Sequence, residues 1–142
     1  MILNHDIGDF PRAVLVIVTV RLGLKGIDQE YFAPIKACFD LPQCVGLLGG
    51  KPNFALYFVG TQEESLIFLD PHFVQDAVPG AEDLPKYENT YFSQDRSAKK
   101  IRLDSLDPCL GLGFLLRNST DVKALRTAFE GPLSKIAALY EK

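Results

Sequence analysis

Tryptophan is absent from this chain, histidine, methionine and cysteine are scarce, and no apolar stretch is long. Two histidines with no ligand spacing between them, and cysteines only at Cys38, Cys44 and Cys109, give no metal-binding pattern. No metal and no other cofactor is expected. The longest purely apolar run, residues 13–18, falls far short of the roughly 20 residues that span a bilayer, so no transmembrane segment is expected. The first residues carry Asp6 and Asp9 and no basic cluster, which is not the pattern of a signal peptide. Three unpatterned cysteines without such a signal fit a reducing, cytoplasmic compartment. Lys and Arg together number 15 against 18 Asp and Glu, for a net charge of −3. That balance points to no nucleic-acid partner and no direct attraction to anionic membranes.

What is present fits one globular domain. A chain of 142 residues, 47% apolar and 23% charged, can bury a real core. Residues 1–12 read as an irregular polar tail, with His5 solvated. Residues 13–22 (AVLVIVTVRL) are rich in β-branched side chains and read as a buried central strand. A central strand so early suggests neighbours or a covering layer lying outside this chain. Asp28 can cap a helix reaching about Phe39, kinked or restarted at Pro34, with Cys38 on its apolar face. Residues 44–48 and 54–60 read as strands on either side of Gly49-Gly50-Lys51-Pro52-Asn53, a loop with strong turn chemistry. A hairpin turn at 61–64 leads into a strand over 65–69, antiparallel to its predecessor. Residues 75–100 read as a long polar loop, 103–106 as one helical turn and 110–117 as a strand. A last helix capped by Ser119 or Thr120 runs to about Phe129 and can resume over 133–140. The expectation is an α+β fold with a mostly antiparallel sheet flanked by helices.

The chemistry concentrates where the 65–69 strand ends in Asp70-Pro71-His72. In extended backbone, side chains at i and i+2 leave on the same side, so a carboxylate and an imidazole are presented together. Such a pair makes His a base whose tautomer a carboxylate sets. The tripeptide alone also fits a strand end with a solvated His and a turn-capping Asp. Antiparallel pairing brings the Gly49–Asn53 loop beside this pair. The loop is not a phosphate loop, since GxxxxGK[ST] and a following helix are lacking. A catalytic cysteine favours a partly exposed helix N-terminus. Cys38 sits near a helix C-terminus, Cys44 opens a strand and Cys109 precedes one, so each reads as a packing residue, with Cys44 the hardest to dismiss because it lies near the loop.

The order of these segments resembles the autophagins, the autophagy-related cysteine proteases of papain-like fold. It is carried by Arg21-Leu22-Gly23-Leu24, Leu41-Pro42-Gln43, the block from Val45 through Gly49-Gly50-Lys51-Pro52-Asn53, Ala55-Leu56-Tyr57-Phe58-Val59-Gly60, Leu69-Asp70-Pro71-His72 and Leu106-Asp107-Pro108. The resemblance implies that Asp70 and His72 are the Asp and His of a Cys-His-Asp triad. It implies that Gly49, Gly50, Lys51, Pro52 and Asn53 form a gate displaced by substrate. The implied substrate is the C-terminal tail of a ubiquitin-like autophagy modifier (GABARAP-type), cut after a glycine, and the same modifier conjugated to phosphatidylethanolamine, met at membranes indirectly.

One departure bears on activity. In that family the nucleophile lies in a Gly-Trp-Gly-Cys-like segment opening a helix, and this chain has no Trp and no such segment. Residues 1–142 are thus expected to correspond to the C-terminal half of an autophagin-type domain, a partial papain-like fold with no nucleophile identified and no activity alone. The alternative is a non-catalytic modifier-binding module, and a third reading is complementation by a Cys-bearing chain. A missing half would leave residues 13–20 as an aggregation-prone edge or apolar face.

Overall fold

The computed structural model describes residues 12–88 and 98–137. His5, most of the polar tail, residues 89–97 of the expected long loop and residues 138–140 of the expected final helix lie outside the described residues. Six strands form one sheet: β1 (Val14–Arg21), β2 (Cys44–Lys51), β3 (Phe54–Gln62), β4 (Ser65–Leu69), β5 (Lys100–Arg102) and β6 (Cys109–Leu116). Their order is β1-β6-β2-β3-β4-β5, and every neighbouring pair is antiparallel. Among the described residues two α-helices, α1 (Phe32–Cys38) and α2 (Ser119–Glu130), and three short 3-10 segments complete an α+β fold.

The core lies on one side of the sheet. Leu110, Leu112, Phe114 and Leu116 alternate along β6 and are buried together with Leu47, Leu56, Phe58 and Leu66. Ile35 and Cys38 of α1 and Leu125 and Phe129 of α2 join the same cluster, and the Phe114 and Phe129 rings meet edge to face at 5.9 Å. Pro34 falls in the first turn of α1, where a missing N–H costs little, so the helix restarts there rather than kinking. Asn118, not Ser119 or Thr120, caps α2: its side chain accepts the Asp121 N–H at 2.9 Å. Beyond Gly131 the chain follows turns through Ile136 instead of resuming a helix.

The strand over 13–22 is found, but at the edge of the sheet rather than its centre. Among the described residues β1 pairs with β6 alone, through all eight of its residues. Val16, Val18 and Val20 pack on the core, whereas Leu15 and Ile17 remain 56% and 50% exposed on the opposite face. A β-branched run reads the same whether one face or both are covered, which is why sequence pattern placed it wrongly. Leu48 and Val45 share that second face, across from Gly111 and Gly113, where a Cβ would touch Ile17 and Leu48 or Val45.

The expected five-residue loop is shorter. Gly49, Gly50 and Lys51 belong to β2, and Lys51 pairs directly with Phe54, leaving Pro52-Asn53 as a two-residue turn. Proline holds φ negative and Asn53 adopts φ 62°, the sign pattern of a type II turn. Glu63, with φ 54°, turns β3 into β4. The 3-10 segment Ala81–Tyr87 and β5 occupy parts of what reads in sequence as unbroken loop.

Candidate active site

β4 ends at Leu69 because Pro71 cannot extend the ladder. Asp70 and His72 do meet, through a turn rather than continued strand. Asp70 Oδ1 accepts the backbone N–H of His72 at 3.0 Å, which closes an Asx turn over Pro71. The same oxygen lies 2.7 Å from His72 Nδ1. An ionised carboxylate is an acceptor only, so this contact places the ring proton on Nδ1 and leaves the Nε2 lone pair outward. The Asp70 side chain is 13% exposed and that of His72 46%. Donation first from the His72 backbone N–H, then from its ring, holds the Asp70 carboxyl below its ordinary range, with Lys99 adding in the same direction. Among the described residues no protein group hydrogen-bonds His72 Nε2.

The Phe54 ring stacks on the His72 imidazole with centroids 4.8 Å apart and planes 6° from parallel. The β2–β3 hairpin therefore does lie beside the His. Together they border a cavity of about 310 Å³ lined by Gly49, Gly50, Lys51, Asn53, Phe54, Ala55, His72, Asp107 and Cys109. Pro52, the remaining member of the expected gate, does not line it. A second Asp-Pro-x turn forms the far wall. Asp107 Oδ1 accepts the Cys109 N–H at 2.9 Å, repeating the Asp70-Pro71-His72 arrangement, and the Asp107 N–H donates to Gly50 O at 2.9 Å. The shared Asp-Pro-x spelling was the available signal for this wall.

The cysteines separate cleanly. Cys38 is buried, its Sγ lies 3.5 Å from Pro34 O, and burial pushes its thiol up to about 12. Burial also raises Cys44, which is half-buried at the start of β2. Cys109 is exposed and is the one cysteine on the cavity with His72, which the pairing of strands reveals and the local sequence does not. None of the three is hydrogen-bonded to His72 among the described residues. Nor do the described residues hold a group of three His, Cys, Asp or Glu able to bind a metal, or a helix long and apolar enough to cross a membrane.

A carboxylate-oriented imidazole is a group that can serve as a general base, with its tautomer set by the carboxylate. The family described as the Peptidase C54 catalytic domain matches residues 3–128. Cysteine protease ATG4A of Xenopus laevis is 39% identical over 110 residues, covering 78% of this chain and 28% of that protein. Cysteine protease atg4da of Danio rerio is 33% identical over 129 residues, covering 91% and 26%, and cysteine protease atg4 of Dictyostelium discoideum is 35% identical over 126 residues, covering 86% and 16%. The chain belongs to the Peptidase C54 family. It spans about a quarter of the length of the Xenopus laevis and Danio rerio relatives and less of the Dictyostelium discoideum one.

Proposed function

We propose that this chain is the base-bearing portion of an autophagy cysteine peptidase that acts on the C-terminus of a ubiquitin-like modifier and on its phosphatidylethanolamine conjugate. The observation that carries the reading is the 2.7 Å contact of His72 Nδ1 with Asp70 Oδ1, beside a ring left open at Nε2. Asp70 sets the tautomer. His72 Nε2 takes the proton of a thiol, and the thiolate attacks the carbonyl carbon of the modifier glycine that precedes the scissile bond. The imidazolium then protonates the departing amine, and a water deprotonated by His72 releases the acyl group. The thiol comes from polypeptide outside residues 1–142. The Gly49–Asn53 hairpin acts as the substrate gate, and the exposed Leu15, Ile17, Val45 and Leu48 face is where the nucleophile-bearing polypeptide packs. The working compartment is the cytoplasm.

The purified chain, incubated with a modifier precursor, is expected to release no C-terminal fragment. Cleavage abolished by His72→Ala would overturn the claim of an external nucleophile, and Cys109→Ser would then be the first variant to make. A second reading, a non-catalytic modifier-binding module, rests on the absence of a thiol bonded to His72. It requires saturable modifier binding that survives Asp70→Ala, and calorimetry showing no binding removes it.

A further inference from the structure

We propose that Phe54 is a positioning residue for His72 and ties the direction of the imidazole to the Pro52–Asn53 turn. The inference deepens the function proposed above and rests on it for its catalytic consequence. Asp70 holds His72 at a single ring atom, Nδ1. One hydrogen bond fixes which nitrogen carries the proton but leaves the ring free to rock about the Nδ1···Oδ1 line. The Phe54 face, parallel to within 6° at 4.8 Å, removes that freedom. Two constraints of different direction, one at the ring edge and one on its face, then define where Nε2 points.

Phe54 is itself tightly held. It is the first residue of β3, follows Asn53 in the left-handed region and pairs with Lys51 across the hairpin. Its carbonyl oxygen lies so near Gly50 that a Cβ there would be 2.1 Å away. Phe54 as a residue remains 41% exposed, so its place is not explained by burial in the core. A movement of the turn carries the Phe54 ring with it and changes the support under the base.

The test uses the full chain with ¹⁵N-labelled histidine, the His72 signals being assigned by their loss in His72→Gln. The wild type is expected to show one Nδ1–H tautomer with narrow lines. Phe54→Ala is expected to keep that tautomer but show exchange broadening as the ring rocks, and Phe54→Tyr to restore the narrow lines. His72 signals unchanged in a folded Phe54→Ala chain would overturn the proposal. Should Phe54→Ala not fold, Phe54→Trp places the chain's sole indole on the ring. Its fluorescence is expected to be quenched by the stacked imidazole, with the quenching lost in Phe54→Trp/His72→Gln. Quenching of equal size without His72 would also overturn it. In a cleavage-competent chimera, Phe54→Ala should lower kcat and leave KM unchanged. A chimera that does not cleave, with the line-broadening effect intact, would refute the proposed function and not the stack.

Discussion

Gly50→Ala tests how far the hairpin geometry governs the site. Gly50 has φ 140°, and a Cβ built there lies 2.1 Å from the Phe54 carbonyl oxygen and 3.1 Å from its carbon. The obstacle is backbone, so no side-chain rotation relieves it. Residues forced into such a region cost about 1–3 kcal/mol. Opening the hairpin end also weakens the Lys51–Phe54 pairing and the Asp107 N–H bond to Gly50 O, each worth about 1 kcal/mol. The expected loss is about 3–5 kcal/mol, or a fall in Tm of about 9–15 °C at roughly 3 °C per kcal/mol for a chain of this size. Thermal unfolding followed by circular dichroism reads it directly. Gly60→Ala is the control, since its Cβ would meet only Ile67 Cδ1 at 3.9 Å. If Gly50→Ala melts within 2 °C of both, the hairpin is not held as described and the placement of Phe54 against His72 loses its basis.

Three further outcomes follow from particular contacts. Asn118→Ala should cost about 1 kcal/mol by leaving the Asp121 N–H without its cap, measurable by urea unfolding, whereas Ser119→Ala should change little. Asp121 is held below its ordinary value by the Gln43 amide, then by the Arg117 N–H, and Asp70 by His72. Groups with depressed folded values stabilise above the unfolded carboxylate range, near about 4, and lose that contribution as pH falls through the folded value. Stability measured by denaturant titration should therefore drop below about pH 4, and Asp121→Asn should make that drop shallower. In a thiol-reagent time course on the native chain, Cys109 should react first, Cys44 slowly and Cys38 only on unfolding, because burial keeps Cys38 protonated. Rapid native labelling of Cys38 would contradict the packing of α1.

The fold class was readable because β2, β3, β4 and β6 carry short apolar runs bounded by Gly, Pro and Asn, and because α2 has apolar residues at helical spacing. The family resemblance was readable from the ordered blocks around Gly49–Asn53 and Asp70–His72. The position of β1 was not, since one-sided and two-sided burial favour the same residues. The hairpin was read too long because glycine suggests a turn, while Gly49 and Gly50 sit in a strand where the Leu110 side chain and the Phe54 backbone, respectively, leave no room for a Cβ. Likewise β5, three residues with only Ile101 partly buried, is made by pairing with β4 and carries no local signal. The meeting of Asp70 and His72 was foreseen from strand alternation, but the structure achieves it through an Asx turn over proline. Cys109 reached the cavity through β6 pairing and the second Asp-Pro-x turn, neither visible in local periodicity.

The most direct measurement replaces the matching segment of Xenopus laevis cysteine protease ATG4A with this chain and assays cleavage of a modifier precursor. The expected result is a chimera that cleaves, with kcat lost in His72→Ala and strongly reduced in Asp70→Ala while the fold is retained. A folded chimera that cleaves equally well with His72→Ala would contradict the assignment of Asp70 and His72 as the catalytic base pair.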